Sequence, residues 1–187
     1  MKKLNVLLMS AVLAVAASQT QAAPSNNTVH FKAPAIGGSG CPSGTSDYAI
    51  TPDGQTLSIL FDQYIASPGM AACNIAIPVH VPNGFQVSLL TADYRGFVEG
   101  KAELSRSYFF AGGNGPSKRT TLKSSGGKDY LERDKLLAWS HIYSKCGKDV
   151  NMRINSRIRT LTNSSVISVD SLDLNNGMIF HLQYQPC

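Results

Sequence analysis

Tryptophan occurs once in the 187 residues, at Trp139. Its neighbours Leu136, Leu137 and Ile142 have the apolar character of a core, so the indole is poorly placed for the flat aromatic shelf on which many sugars stack. A tyrosine platform would have to come from Tyr94, Tyr108 or Tyr143. The four cysteines include no C-x-x-C pair and no close Cys/His cluster, which argues against a zinc site. H-E-x-x-H is absent and so is G-x-S-x-G, which removes the two most readable hydrolase signatures. Beyond the first 22 residues no apolar run approaches the ~20 residues of a membrane-crossing helix. Charge of one sign is also scarce. The formal net charge is +5, Lys2 and Lys3 supply two of those charges, and the remaining +3 is too weak to argue for nucleic acid.

The first 22 residues have the order of an export signal. Met1-Lys2-Lys3 is basic, Val6 to Ala17 is apolar apart from Ser10, and Thr20-Gln21-Ala22 places small residues where a signal peptidase reads them. Cleavage is expected after Ala22, giving a secreted or periplasmic protein of 165 residues, enough for one domain that buries roughly two-thirds of its unfolded surface. Residues 23–37, rich in small residues, proline and glycine, read as a flexible N-terminal arm. Residues 38–187 read as a single domain without internal repeats.

In an exported chain four cysteines imply two disulfides. Three pairings are open; Cys41–Cys73 with Cys146–Cys187 is preferred, because each would tie a local strand pair and sit beside a turn or terminus. Between the cysteines the hydrophobic period is two. Ile75, Ile77, Val79 and Val81 alternate with Asn74, Ala76, Pro78 and His80, the pattern of a half-buried strand that Pro78 places near an edge. The same alternation runs through residues 55–62, 85–94, 101–110, 150–158 and 177–184. Turn-forming clusters separate these runs, among them Pro52-Asp53-Gly54, Pro82-Asn83-Gly84, Gly126-Gly127 and Asn175-Asn176-Gly177, the last a strong hairpin signal. Only Tyr130 to Trp139 suggests a short helix. The expected fold is all-β, an antiparallel two-sheet β-sandwich of jelly-roll or immunoglobulin-like type.

Several stretches carry a resemblance. GSGCPSG (38–44), LSILFDQYIAS (57–67), AACNIAIPV (71–79), PNGFQVSLLTADYRGFVEG (82–100), Trp139-Ser140 followed by Cys146-Gly147, and Cys187 together resemble the domain of unknown function 4360 family, small secreted cysteine-bearing proteins of bacteria and filamentous fungi. The likeness covers the chain from about Gly38 onward. It implies a secreted, disulfide-bearing β domain with no assigned reaction. HIYSK, between Trp139-Ser140 and Cys146, departs from the family pattern, in which the cysteine follows more directly.

Candidate chemistry is confined to a few clusters. In VNMRINSRIR (150–159), burial of Val150, Met152, Ile154 and Ile158 sends Asn151, Arg153, Asn155, Arg157 and Arg159 to the opposite face. Arg offers a planar fork of donors and Asn a donor beside an acceptor, so such a row suits carboxylates, sulfates or sugar hydroxyls. The bland alternative is the solvated face of a half-buried strand, with Asp170 and Asp173 pairing the arginines. DYRGF (93–97) sets Tyr94 and Arg95 beside Gly96, a glycine expected to mark a bulge or a close backbone approach. There the alternative is an Asp93–Arg95 pair with Tyr94 packed inward. His80 and His181 share the polar parity of their strands, and Asp62 or Asp93 could complete a zinc set, yet no spacing demands one. No metal or cofactor is expected. Asp62, Asp93, Glu99 and Glu103 are acids available to a hydrolase. The sequence therefore points to a non-catalytic secreted protein that binds an extracellular glycan, polymer or protein. A secreted hydrolase and a toxin or inhibitor acting on a protein partner are the alternatives.

Overall fold

The computed structural model describes residues 28–136, 143–170 and 178–187. The expected signal segment, Trp139, Asp173 and the Asn175-Asn176-Gly177 turn lie outside the described residues. Eleven strands fill what is described: β1 (His30–Phe31), β2 (Ala35–Gly37), β3 (Ser46–Ile50), β4 (Thr56–Phe61), β5 (Ile65–Ala66), β6 (Met70–His80), β7 (Phe85–Phe110), β8 (Ser117–Lys135), β9 (Val150–Thr160), β10 (Val166–Ser168) and β11 (Met178–Pro186). All their pairings are antiparallel.

The fold is all-β, and its two walls are joined. The sheet runs β1-β6-β9-β7-β11-β4-β3. The first half of β7 pairs with β11 in one wall, and its second half pairs with β9 in the other. Between the walls lies one apolar core. Leu57, Ile59 and Phe61 of β4, Ile75, Ile77 and Val79 of β6, and Ile154 and Ile158 of β9 contribute to it, each at most 1 % exposed. Period-two alternation dictates this, because neighbouring side chains of a strand leave on opposite faces. The result is a partly closed sandwich made from a single curled sheet.

The bend between the walls has a local cause. Val98 faces Lys128 and Gly100 faces Ser124, so Glu99 of β7 is opposed by three residues of β8, including Gly126 and Gly127. Gly126-Gly127, expected to be a turn, is thus a bulge inside β8. Gly127 has φ +76°, and a Cβ there would meet the Phe97 ring at 2.4 Å. Gly96, expected to mark a bulge or a close backbone approach, lies within the continuous strand β7. Its requirement is close approach, since a Cβ would lie 2.0 Å from the Ser168 carbonyl oxygen.

Other expectations need correction. Residues 130–135, assigned to a helix, are strand, with Tyr130, Asp134 and Leu136 buried and Leu131 exposed. Charges at inward positions disguise the alternation. Leu136, which follows, is helical, and the rest of that expected helix, from Leu137, lies outside the described residues. The N-terminal arm is packed from residue 28 onward. β1 and β2 lie along β6, and Val29 and Phe31 are buried. Pro78 sits where β1 gives way to β2, and its carbonyl accepts from the Lys32 amide at 2.8 Å. The strand side that lacks an N–H therefore faces the gap between two short strands, and β6 is covered rather than a bare edge. Flanking the expected hairpin, β10 pairs with β5 and β7 while β11 pairs with β4 and β7.

Two disulfides, Cys41–Cys73 and Cys146–Cys187, close loops of 32 and 41 residues. The first is buried against β6. The second joins the segment leading into β9 to the chain beyond β11.

Candidate functional site

β9 lies between β6 and β7, and its outward row is the one its parity requires. Arg153, Asn155 and Arg157 are exposed, while Asn151 and Arg159 are half-buried. Register then decides what stands beside each. Arg157 is opposite Ala72 of β6 and Ser105 of β7, and Ser105 is opposite Arg119 of β8. One step along, Asn155 lies between Asn74 and Ser107, with Ser117 beyond. Four strands thus build an open concavity of about 520 Å³, lined by Asn74, Ser105, Ser107, Arg119, Asn155 and Arg157 among others. It is cationic and rich in hydroxyl and amide groups. Among the described residues no carboxylate lies within ion-pair distance of Arg153 or Arg157.

Arg159 has a different task. Its Nε donates to Glu103 Oε1 at 3.0 Å and its Nη2 to Oε2 at 3.2 Å, a bidentate pair. Arg119 Nε approaches the same Oε1 at 3.3 Å. Burial works against the Glu103 charge, but the hydrogen bonds from Arg159 and Ser105, with the Arg119 charge, hold its carboxyl below the usual range. The acid that answers this row therefore comes from β7. Glu103, expected only as one of several available acids, fixes Arg159 and Arg119 at the rim of the concavity and, among the described residues, leaves Arg157 and Arg153 uncommitted to a carboxylate.

DYRGF divides by the same parity. Tyr94 is fully buried, so it presents nothing to a ligand. Asp93 pairs across the hairpin with Arg133, Nη2 to Oδ2 at 2.6 Å, instead of with Arg95. Arg95 is half-buried, and among the described residues its Nε has no hydrogen-bond partner. Tyr94 and Arg95 thus leave opposite faces of β7 and do not join the β9 row in one site.

The inward side of this hairpin holds a cluster that the alternation alone did not reveal. Arg106 Nε donates to Asp134 Oδ2 and Nη2 to Oδ1, both at 2.7 Å, with both side chains fully buried. Tyr108 gives its single hydroxyl proton to Asp134 at 2.5 Å, so the 3.1 Å contact between Tyr94 and Tyr108 is donated by Tyr94. Lys118 and Glu132 carry the network toward the surface, at 3.2 Å from Asp134 and 3.4 Å from Arg106. Burial opposes the Arg106 charge, but the Asp134 hydrogen bonds and charge outweigh it and raise the guanidinium's pKa; burial pushes the Tyr94 and Tyr108 hydroxyls up. The cluster is fully paired, as a buried ion pair must be. Its signal in the sequence is Arg106 on the inward parity between Leu104 and Tyr108, met by Asp134 on the inward parity of β8.

A second pairing of interest surrounds Asp149. His80 Nδ1 lies 2.8 Å from Oδ1 and Lys32 Nζ 2.7 Å from Oδ2, beside a concavity lined also by Asn83 and Phe85. The His30 and His80 rings are 4.9 Å apart. The His181 side chain lies outside the described ones, and among the described residues no group of three His, Cys, Asp or Glu is arranged to hold a metal ion. Tyr108 is buried, and Tyr143, half-buried, lines another concavity with Lys145, Lys148 and Asn151. None of the described helical residues forms a segment long and apolar enough to cross a membrane.

Comparison with known proteins bears on identity. An uncharacterized secreted protein of Arthroderma benhamiae is 34 % identical over 182 residues, covering 88 % of this chain and 74 % of that one. Among solved structures, TmCBM61 in complex with β-1,4-galactotriose aligns with a TM-score of 0.34 and 11 % identity, over 83 % of this chain and 91 % of the other. The secreted relative and the paired cysteines together mark an exported protein. Residues 27–187 match the family described as domain of unknown function (DUF4360), and the chain belongs to that family.

Proposed function

We propose that this protein binds an extracellular polysaccharide at the concavity on the outer face of β9. The observation that carries the reading is the row Arg157, Ser105 and Arg119 laid across three strands beside Asn74 and Asn155, with no carboxylate pairing Arg157. A guanidinium fork recognises a carboxylate or sulfate through two parallel hydrogen bonds, and the amides and hydroxyls beside it suit sugar hydroxyls. Recognition here is polar, because Tyr94 and Tyr108 are buried and provide no stacking surface. Tyr94 plays no part in binding on this reading, and Arg159 acts by holding Glu103.

The test is titration of the mature, disulfide-intact protein against a panel of neutral and acidic polysaccharides, with Arg157→Ala and Arg119→Ala examined singly and together. Each charge-assisted contact is worth ~1.5–3 kcal/mol, so the double variant is expected to bind at least ~10-fold more weakly. Binding unchanged in the double variant would remove this face from consideration.

A hydrolase reading has one observation in its favour, the His80–Asp149 pair in an open concavity. The lining there has no serine, threonine or cysteine, and Lys32 shares the same carboxylate. Polymer cleavage that is lost in His80→Ala would establish this second reading.

A further inference from the structure

The outward row of β9 continues past the concavity at Arg157. Asn151, at the other end of the row, lines a separate concavity of about 470 Å³ with Asn114, Tyr143, Lys145 and Lys148. The two hollows therefore lie toward the two ends of the outward row of β9. Arg153 stands between them, exposed, with the half-buried Phe109 as its neighbour on β7. From Asn151 to Arg157 the strand advances about 20 Å, at ~3.3 Å per residue. A single sugar occupies a fraction of that length.

Three features say what would fill it. Arg153 and Arg157 stand on the row, Lys145 and Lys148 line the hollow at its end, and all four are exposed. The one acid among the residues lining the far hollow, Asp149, is paired with Lys32. The side chains of Asn114 and Asn151 bring amides to the same hollow. Amides beside cationic groups suit a ligand that brings hydroxyls as well as anions.

Resting on the polysaccharide reading above, we infer that the two hollows are the ends of one trough, which takes an extended acidic polysaccharide lengthwise along β9. Arg157 with Arg119 holds an anionic group at one end. Lys145 with Lys148 holds another at the far end, beside the amides of Asn114 and Asn151. Cys146–Cys187 fixes the segment carrying both lysines, and the Gly147 amide donates to the Phe85 carbonyl at 2.8 Å.

Calorimetric titration with size-fractionated oligogalacturonate, alginate, hyaluronate and heparan sulfate, from disaccharide to decasaccharide, tests the inference on the intact protein. Neutral maltooligosaccharides and single-stranded DNA of matched length are the controls. For at least one acidic series, affinity is expected to rise 10-fold or more between disaccharide and octasaccharide. Lys145→Ala/Lys148→Ala should abolish that rise, whereas Arg157→Ala should weaken every length. Equal affinity at all lengths, or a lysine variant that keeps the rise, overturns the trough and leaves a short ligand at Arg157 standing. Maltooligosaccharide binding equal to that of the acidic series overturns the acidic class alone. DNA binding as tight as the best saccharide reduces the face to a general polyanion surface and overturns the inference. No saccharide binding at any length removes this inference and the polysaccharide reading together.

Discussion

Arg106 and Asp134 show how much depends on two side chains. Both are fully buried and hydrogen-bonded to each other, so removing one strands the other's charge in the core. Asp134→Ala is expected to lower unfolding stability by ~3–5 kcal/mol, read from the denaturant midpoint at unchanged slope. Tyr94→Phe deletes only the outer link of the same network, from Tyr94 to Tyr108, and is expected to cost ~1 kcal/mol. A loss with Tyr94→Phe as large as with Asp134→Ala would mean that the network is not ordered as described. These residues were hard to read in advance because an arginine at an inward position resembles an error in the pattern. Only its partner, 28 residues away on another strand, makes it sensible. Arg157 and Asn155 were legible, since β9 keeps strict alternation. Ser105, Arg119 and Asn74 were not, because register across four strands has no trace in local sequence.

At the scale of elements, β6 and β9 could be recognised from their own residues, and β8 could not. Inward positions of β8 hold Lys118, Thr120, Glu132 and Asp134, and its centre holds two glycines, so neither apolar period nor strand propensity marks it. β1 and β2 have two and three residues, too few for alternation to register. β1 depends on a polar clasp, in which Asp149 accepts from Lys32 and from the Val81 amide. The Lys32 hydrogen bond holds the Asp149 carboxyl below its ordinary 3.8. A group with a lowered folded-state pKa contributes stability that is complete above its unfolded value and is lost as pH falls through the folded value. Protection of the Lys32 amide, which donates to Pro78, is therefore expected to fall as pH drops below about 3.8 in hydrogen exchange corrected for intrinsic rate. In Asp149→Asn that protection should be low from the start and should lose its pH step. A step that survives in the variant would assign the clasp to another group. Gly54 limits the same region from the other side. Its φ is +71°, and a Cβ there would meet His30 Cβ at 2.4 Å, so Gly54→Ala should displace β1 as well.

For the molecule as a whole, two walls joined through β7 are held at opposite places by the two disulfides. Cys41 and Cys73 are buried, while Cys146 and Cys187 are exposed. Exchange requires a thiolate to reach a sulfur, so dilute reductant is expected to open Cys146–Cys187 first, detected by alkylation and mass analysis. Cys41→Ser/Cys73→Ser should cost up to about 4 kcal/mol by the chain-entropy relation for a loop of this length. Simultaneous opening of both bridges would indicate that the buried one is reached only through global unfolding. Among the described residues, β8 has β7 as its only partner, and it carries Lys118, Arg119, Lys123, Lys128, Arg133 and Lys135. That open rim would otherwise be a template for stacking molecule on molecule. Two such rims repel across a distance set by dissolved ions, which makes crowding tolerable in dilute media and turns concentrated brine into the condition under which copies begin to adhere.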